Sequence, residues 1–232
     1  MNGDREAMLA RVTEALRVPA PRHHEKPSKA ATHTVTAPFR EWLPPVGASM
    51  AEQIALFAER SESLRTEFIQ CQTIEAAAQH LAGLAAENGW KRIALHAGRL
   101  ADAVVAGLSS GIELLRIDNG YDKDALEACD AGLTECESLV AQTGSVCVTA
   151  RSSGGRALSV LPPHHVVIAS RDQLVTDLSA AYERLAAKYA ANYPSFISFI
   201  TGPSRTGDIE RILVLGAHGP KKLTVLLVPG VA

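Results

Sequence analysis

The sequence predicts an α/β protein: a mostly parallel sheet with flanking helices, in three layers, preceded by an N-terminal helix and a Pro-rich linker. Two observations predict it. From residue 49 to residue 117, helix-period and strand-like segments alternate about every 20 residues, the pattern of parallel strands joined by crossover helices. The chain also has 232 residues, 47% hydrophobic and 21% charged, enough to bury an ordinary soluble core without staples. Aromatics are only 5%, so Leu, Ile, Val and Ala must fill that core.

The elements follow in order. Residues 4–18 read as a short helix, with Met8, Val12 and Ala15/Leu16 at helical spacing. Residues 19–48 hold six of the twelve prolines and three of the eight histidines, so they read as a linker. This divides the chain into residues 1–48 and an α/β domain over 49–232. Ser49 with Glu52 is a capping box, followed by Ile54, Phe57, Ala58 and Leu64 on one face. Phe68-Ile69 is a short strand. Thr73 caps the next helix, which Asn88-Gly89 stops, and 92–95 is a strand. Residues 99–108 are helix, 112–117 strand and 122–129 helix.

Beyond that point, strand-like pieces crowd together at 131–140, 145–149, 157–161 and 165–169, which predicts hairpins added to the parallel sheet. Ser170 and Gln173 form a second capping box, and the helix it opens carries Leu174, Leu178, Ala181, Leu185 and Tyr189. Strands at 195–201, 211–215 and 223–228 complete the chain.

Composition excludes several function classes. Lys and Arg number 23 against 25 Asp and Glu, and no basic block exists, so a nucleic-acid footprint is missing. No run of 18 apolar residues is present, so no membrane span is expected. The polar N-terminus has no apolar stretch behind it, so we expect no secretory signal and a cytoplasmic address. Cys71, Cys129, Cys136 and Cys147 contain no C-x-x-C pair, so they read as buried reduced thiols and not as ligands of zinc or an iron–sulfur cluster. His164 and His165 are adjacent on a strand and point to opposite faces, which argues against a shared metal ion.

Three segments can carry chemistry. In Ser198–Glu210 an apolar strand runs into a turn rich in Gly and hydroxyls, with one Arg and two carboxylates. Gly202 permits a close approach to backbone, Ser204 and Thr206 can receive an anion, and Arg205 can clamp a carboxylate or phosphate. The competing reading has Thr206 or Asp208 capping a helical turn. The turn is neither a Walker A loop nor a dinucleotide fingerprint. In the second segment, Thr143, Gly144 and Ser145 either face the same ligand or form a plain hairpin turn. In the third, Gly216–Pro220, glycines flank His218, which either acts as general acid or base or merely sits in a tight turn.

GPSRTGDIE (202–210), GAHGP (216–220) and the strand at 223–228 together resemble the C-terminal signature of the LUD-domain family, in its lactate-utilisation subgroup. Ala141-Gln142-Thr143-Gly144-Ser145 is similar to that family's Ala-Glu-Thr-Gly-Ser/Thr turn, and Leu161–Ile168 resembles its Pro/His strand. All four segments occur in the family's order. Two positions depart: Gln142 replaces the usual Glu, removing a carboxylate, and Gly207 replaces the usual Ala.

The resemblance implies a fold similar to the ribose-5-phosphate isomerase, glucosamine-6-phosphate deaminase and CoA-transferase group. It also implies participation in oxidation of L-lactate to pyruvate beside two iron–sulfur proteins that hold the clusters, with no cofactor in this chain. The expectation that follows is a non-redox component binding a small anion through Thr143, Gly144, Ser145, Gly202, Ser204, Arg205 and Thr206. The alternatives are a stand-alone enzyme using Asp208 or Glu210, with His218, as acid and base, or a purely structural partner.

Overall fold

Capping chemistry starts the helices where the sequence places them. Ser49 Oγ accepts from Glu52 N at 3.3 Å and Glu52 Oε2 accepts from Ser49 N at 2.9 Å, a complete capping box. Thr73 Oγ1 accepts from Ala76 N, and Gly89 ends that helix in the left-handed region at φ +65°. The computed structural model describes residues 2–17, 44–108, 111–190, 192–206, 214–216 and 218–230.

Two units exist, 1–43 and 44–232. Of the first, α1 (Asn2–Arg17) is described; most of the expected linker lies outside the described residues. The second unit begins at Pro44, and Val46 already packs on its core.

Its helices are α2 (Met50–Leu64), α3 (Ile74–Asn88), α4 (Arg99–Val105), α5 (Lys123–Glu127) and α6 (Leu178–Tyr189). The main sheet contains β1 (Glu67–Gln70), β2 (Arg92–Leu95), β3 (Glu113–Arg116), β4 (Ala131–Glu135), β7 (His164–Ser170) and β12 (Lys222–Val228). Their spatial order is β1-β12-β7-β4-β2-β3, and every neighbouring pair is parallel. This is the mostly parallel, helix-flanked α/β architecture that the alternation predicts.

The central strands are buried on both faces, as parallel strands must be. Val166 and Ile168 of β7 join Leu226 and Val228 of β12 in a core with α3 and α4. Val167 and Ala169 face the other way, with Val225 and Leu227, into a core closed by Ile54 and Phe57 of α2.

The crowded strands differ from the expectation. Of these pieces, β4 and β7 are central strands of the parallel sheet, but the hairpin is not added to it. Instead β5 (Ser138–Val140), β6 (Ser145–Thr149), β8 (Leu174–Val175) and β9 (Ile197–Ile200) form a separate sheet ordered β8-β5-β6-β9. Leu139, Val146 and Val148 press this sheet onto the second core, and α6 covers it through Leu185 and Tyr189 against Cys147 and Phe199. Segment 131–140 is therefore two strands in two sheets.

Segment 157–161 is a turn, with Val160 N and Leu161 N both donating to Ala157 O. Its apolar character reflects the burial of Leu158 beneath that turn. The box at Ser170 and Gln173 closes only one 3-10 turn, because Leu174 turns extended to pair with Leu139. The cap of α6 is Asp177, whose Oδ1 accepts from Ala180 N at 2.9 Å. A two-stranded ribbon, β10 (Arg205–Thr206) with β11 (Val214–Leu215), precedes β12.

Candidate functional site

The two glycine turns singled out in the sequence meet on the last turn of α2. Gly202 sits at φ +87°, where a Cβ would lie 3.0 Å from Leu64 O. Gly144, at φ +67°, would place a Cβ 2.8 Å from Arg60 Cβ. Both positions need glycine for conformation and for contact. Ser145 joins the turns: its Oγ is 2.8 Å from Thr143 Oγ1 and 2.8 Å from Thr201 Oγ1.

Backbone bonds bring in the remaining motif segments. Ser204 N donates to Pro220 O and Gly216 N to Ser204 O, each at 2.9 Å, while Lys221 N donates to Pro163 O at 2.8 Å. The start of β7, the 202–206 turn and the 216–220 turn therefore share the N-terminal edge of the main sheet.

Two adjoining cavities open there, and Pro203 and Leu223 line both. The first, about 230 Å³, is lined by Gly202, Ser204, His218, Thr201 and the fully buried His165. The second, about 260 Å³, carries Arg65, Arg205, Lys221 and Lys222 against one carboxylate, Glu67. Arg65 reaches it from the left-handed end of α2, at φ +61°. Among the described residues no carboxylate pairs with Arg205. Four cationic side chains thus line one pocket, with Lys222 Nζ also donating to Asn88 Oδ1 at 2.7 Å.

His164 and His165 stand behind these cavities as neutral rings. Thr224 Oγ1 donates its single proton to Glu67 Oε2 at 2.7 Å. His164 Nε2, 2.8 Å from Thr224 Oγ1, must therefore be the donor in that contact, which leaves Nδ1 bare and unpartnered. Burial, reinforced by the charge of Lys222, holds the His164 pKa down at about 4. Burial and the neighbouring His164 hold that of His165 at about 3. His165 shares a 2.8 Å hydrogen bond with Thr134, on a different strand from the partner of His164.

The structure thus gathers Gly202, Ser204 and His218 at one cavity and Arg205 at the next. Thr143, Gly144 and Ser145 stand behind, touching the cavity through Thr201. Thr206 pairs through its backbone with Val214. Asp208 and Glu210, with Gly207, lie outside the described residues. Gln142 donates to Pro44 O at 3.0 Å and so holds the start of the domain, away from both cavities. Sequence reasoning missed Arg65, Glu67, His165 and Thr201. The Lys221-Lys222 pair beside the 216–220 turn was the one signal that could have found the basic pocket. Among the described residues, no group of three or more His, Cys, Asp or Glu can hold a metal ion.

Comparison with known proteins bears on the family and the fold. A sequence model of the LUD domain matches residues 54–228. The lactate utilization protein C of Deinococcus radiodurans is 34% identical over 122 residues, covering 52% of this chain and 57% of that one. The protein of the same name from Geobacillus thermodenitrificans is 28% identical over 199 residues, covering 81% and 83%. The chain therefore spans little more than half of the first relative and most of the second. Among solved structures, a DUF162 family protein from Deinococcus radiodurans has the same fold, with a TM-score of 0.62 at 24% identity over 78% of this chain and 99% of that one.

Proposed function

The chain belongs to the LUD-domain family, and from that premise we propose that it is a cytoplasmic, non-redox component of an iron–sulfur-dependent L-lactate utilisation system, binding a small anion at the 202–205 turn. The observation that carries the anion reading is the convergence of Arg205 with Arg65, Lys221 and Lys222 on one pocket beside Ser204 and His218. Relatives named lactate utilization protein C support the physiological setting. Among the described residues no helix is long and apolar enough to cross a membrane. In this reading the clusters that move electrons belong to partner proteins, and this chain contributes binding or assembly.

Deleting the gene, growing cells on L-lactate as sole carbon source and rescuing with wild-type or Arg205→Ala chain tests the proposal. Rescue by wild type and failure by Arg205→Ala is expected. The bidentate contact to a carboxylate or phosphate is worth on the order of 1.5–3 kcal/mol, so anion affinity should fall at least about tenfold. Full rescue by the variant, with unchanged anion binding, removes the anion site from the proposal. Lactate oxidation by the purified chain alone overturns the non-redox assignment.

A further inference from the structure

The C-terminal edge of the main sheet holds a cavity of about 310 Å³ that none of the four motif segments reaches. β2 and β4 are neighbours, yet the chain leaves β2 for β3 on one side and leaves β4 for β7 on the other. The crevice between their C-terminal ends is a topological switch point, where open α/β sheets bind ligands. His96, Ala97 and Gly98 enter it from β2, and Glu135 and Glu137 from β4.

The site is built around buried groups, His96, Glu137 and Tyr189, with Glu135 half-buried and Arg151 exposed at its mouth. The Glu137 side chain is 2% exposed and accepts from Tyr189 Oη and Thr149 Oγ1 on one oxygen and from Lys188 Nζ, at 2.7 Å, on the other. Glu135 commits one oxygen to Leu100 N at 2.7 Å and Ala101 N at 3.1 Å. That approach needs Gly98, since a Cβ there would collide with Glu135 Oε1. An ionised network of this kind is costly to bury, and apolar residues of similar size would hold a core as well. Stability alone does not explain it.

The groups left over define a ligand. Lys188 answers Glu137, and the α4 amides answer one oxygen of Glu135. Arg151 stacks its guanidinium over the Tyr189 ring at 5.1 Å and gives one N–H to Asn192 O at 3.3 Å. Among the described residues no carboxylate pairs with Arg151, so it can take one anionic group. His96 Nε2 donates to Ser152 O at 2.7 Å, a carbonyl that only accepts, which leaves Nδ1 as the ring nitrogen not used by this contact. The second oxygen of Glu135 is an acceptor.

We propose that this cavity binds a small 2-hydroxy monocarboxylate, with its carboxylate on Arg151 and its hydroxyl donating to the second oxygen of Glu135. The choice of L-lactate as probe rests on the lactate-utilisation reading; the site itself rests on the geometry.

Calorimetric titration of the full chain with L-lactate tests this, with propionate, which lacks the hydroxyl, as comparison. Arg151→Gln, Glu135→Gln and Arg205→Ala are titrated in parallel. Arg151 is exposed, and Gln at 135 keeps a carbonyl for the α4 amides, so both variants should fold. Saturable L-lactate binding is expected, at least tenfold weaker for propionate, for Arg151→Gln and for Glu135→Gln, and retained in Arg205→Ala. Absence of saturable lactate binding, or indifference to Arg151→Gln, overturns the inference. Loss on Arg205→Ala alone also overturns it and leaves lactate at the basic pocket, so the two proposals fail separately.

Discussion

Glu137 and Lys188 form an ion pair with one end in the core and the other in water: their side chains are 2% and 55% exposed, and Nζ lies 2.7 Å from Oε2. Burial pushes the Glu137 carboxyl up, but Lys188, Tyr189 and Thr149 together bring it below the usual carboxylate range. Its folded pKa is thus below the unfolded one. The stability it contributes is present above about pH 4.5 and is lost as pH falls through the folded value. Lys188→Met removes the countercharge and leaves a buried carboxylate with two hydroxyl donors. A fully buried broken pair costs about 3–5 kcal/mol, and the exposure of Lys188 cuts this to about 1–2. Thermal unfolding should show a loss of about 2–4 °C per kcal/mol.

The histidine pair produces acid sensitivity in a different window. Both rings are neutral in the fold, at about 4 for His164 and about 3 for His165, against about 6.5 in the unfolded chain. Below pH 6.5 the unfolded chain binds protons that the folded one refuses. Stability therefore falls as pH drops from 6.5 towards 4, by up to about 1.4 kcal/mol per pH unit for each ring. Carboxylates with lowered pKa make stability depend on pH only below about pH 4.5, so the interval above that isolates the histidines. Urea midpoints at pH 7.5 and pH 5 should differ clearly in the wild type and by less in His164→Gln. Equal midpoints in the wild type would show that these rings carry protons in the fold.

What was legible in the sequence was local. Ser49–Glu52 and Thr73 start helices because a cap needs only residues three positions apart. Gly202, Ser204, Arg205 and His218 stood out because Gly and Pro turn chemistry is also local. The second sheet was not legible, since β5 finds its partners at Cys147 and Leu174, a choice made by how Leu139 and Val167 pack. The same limit hid Arg65, an unexpected residue at a left-handed helix end, and the Glu135–Glu137 cavity, which exists only once β2 and β4 are neighbours.

Glycine contacts give a paired test of the packing. A Cβ on Gly132, the second residue of β4, would collide with Leu158 O and stand 3.1 Å from Pro162 Cγ. The first neighbour is backbone and cannot move cheaply, so Gly132→Ala should cost about 1–3 kcal/mol. At Gly83, in α3, an added methyl would have nothing within 4 Å. Gly83→Ala should therefore stabilise by about 0.4–1 kcal/mol through the unfolded chain. Denaturant midpoints that move in opposite directions confirm the pair; a neutral Gly132→Ala would mean that the turn carrying Leu158 yields.

The four thiols bear directly on the redox assignment. Cys71, Cys129, Cys136 and Cys147 are all free and all buried. Burial raises each pKa, to about 11 for Cys129 and about 12 for Cys147, with nearby carboxylates adding to the effect at both. A cluster needs thiolate ligands, and an alkylating reagent needs a thiolate it can reach. Iodoacetamide at pH 7.5 should therefore label the native chain negligibly and the urea-unfolded chain at all four positions, read by intact mass. Anaerobic incubation of the native chain with iron and sulfide should yield no visible cluster absorbance. Rapid native labelling at any one cysteine would show that thiol to be accessible as thiolate; a stoichiometric cluster would place electron transfer in this chain and end the non-redox reading.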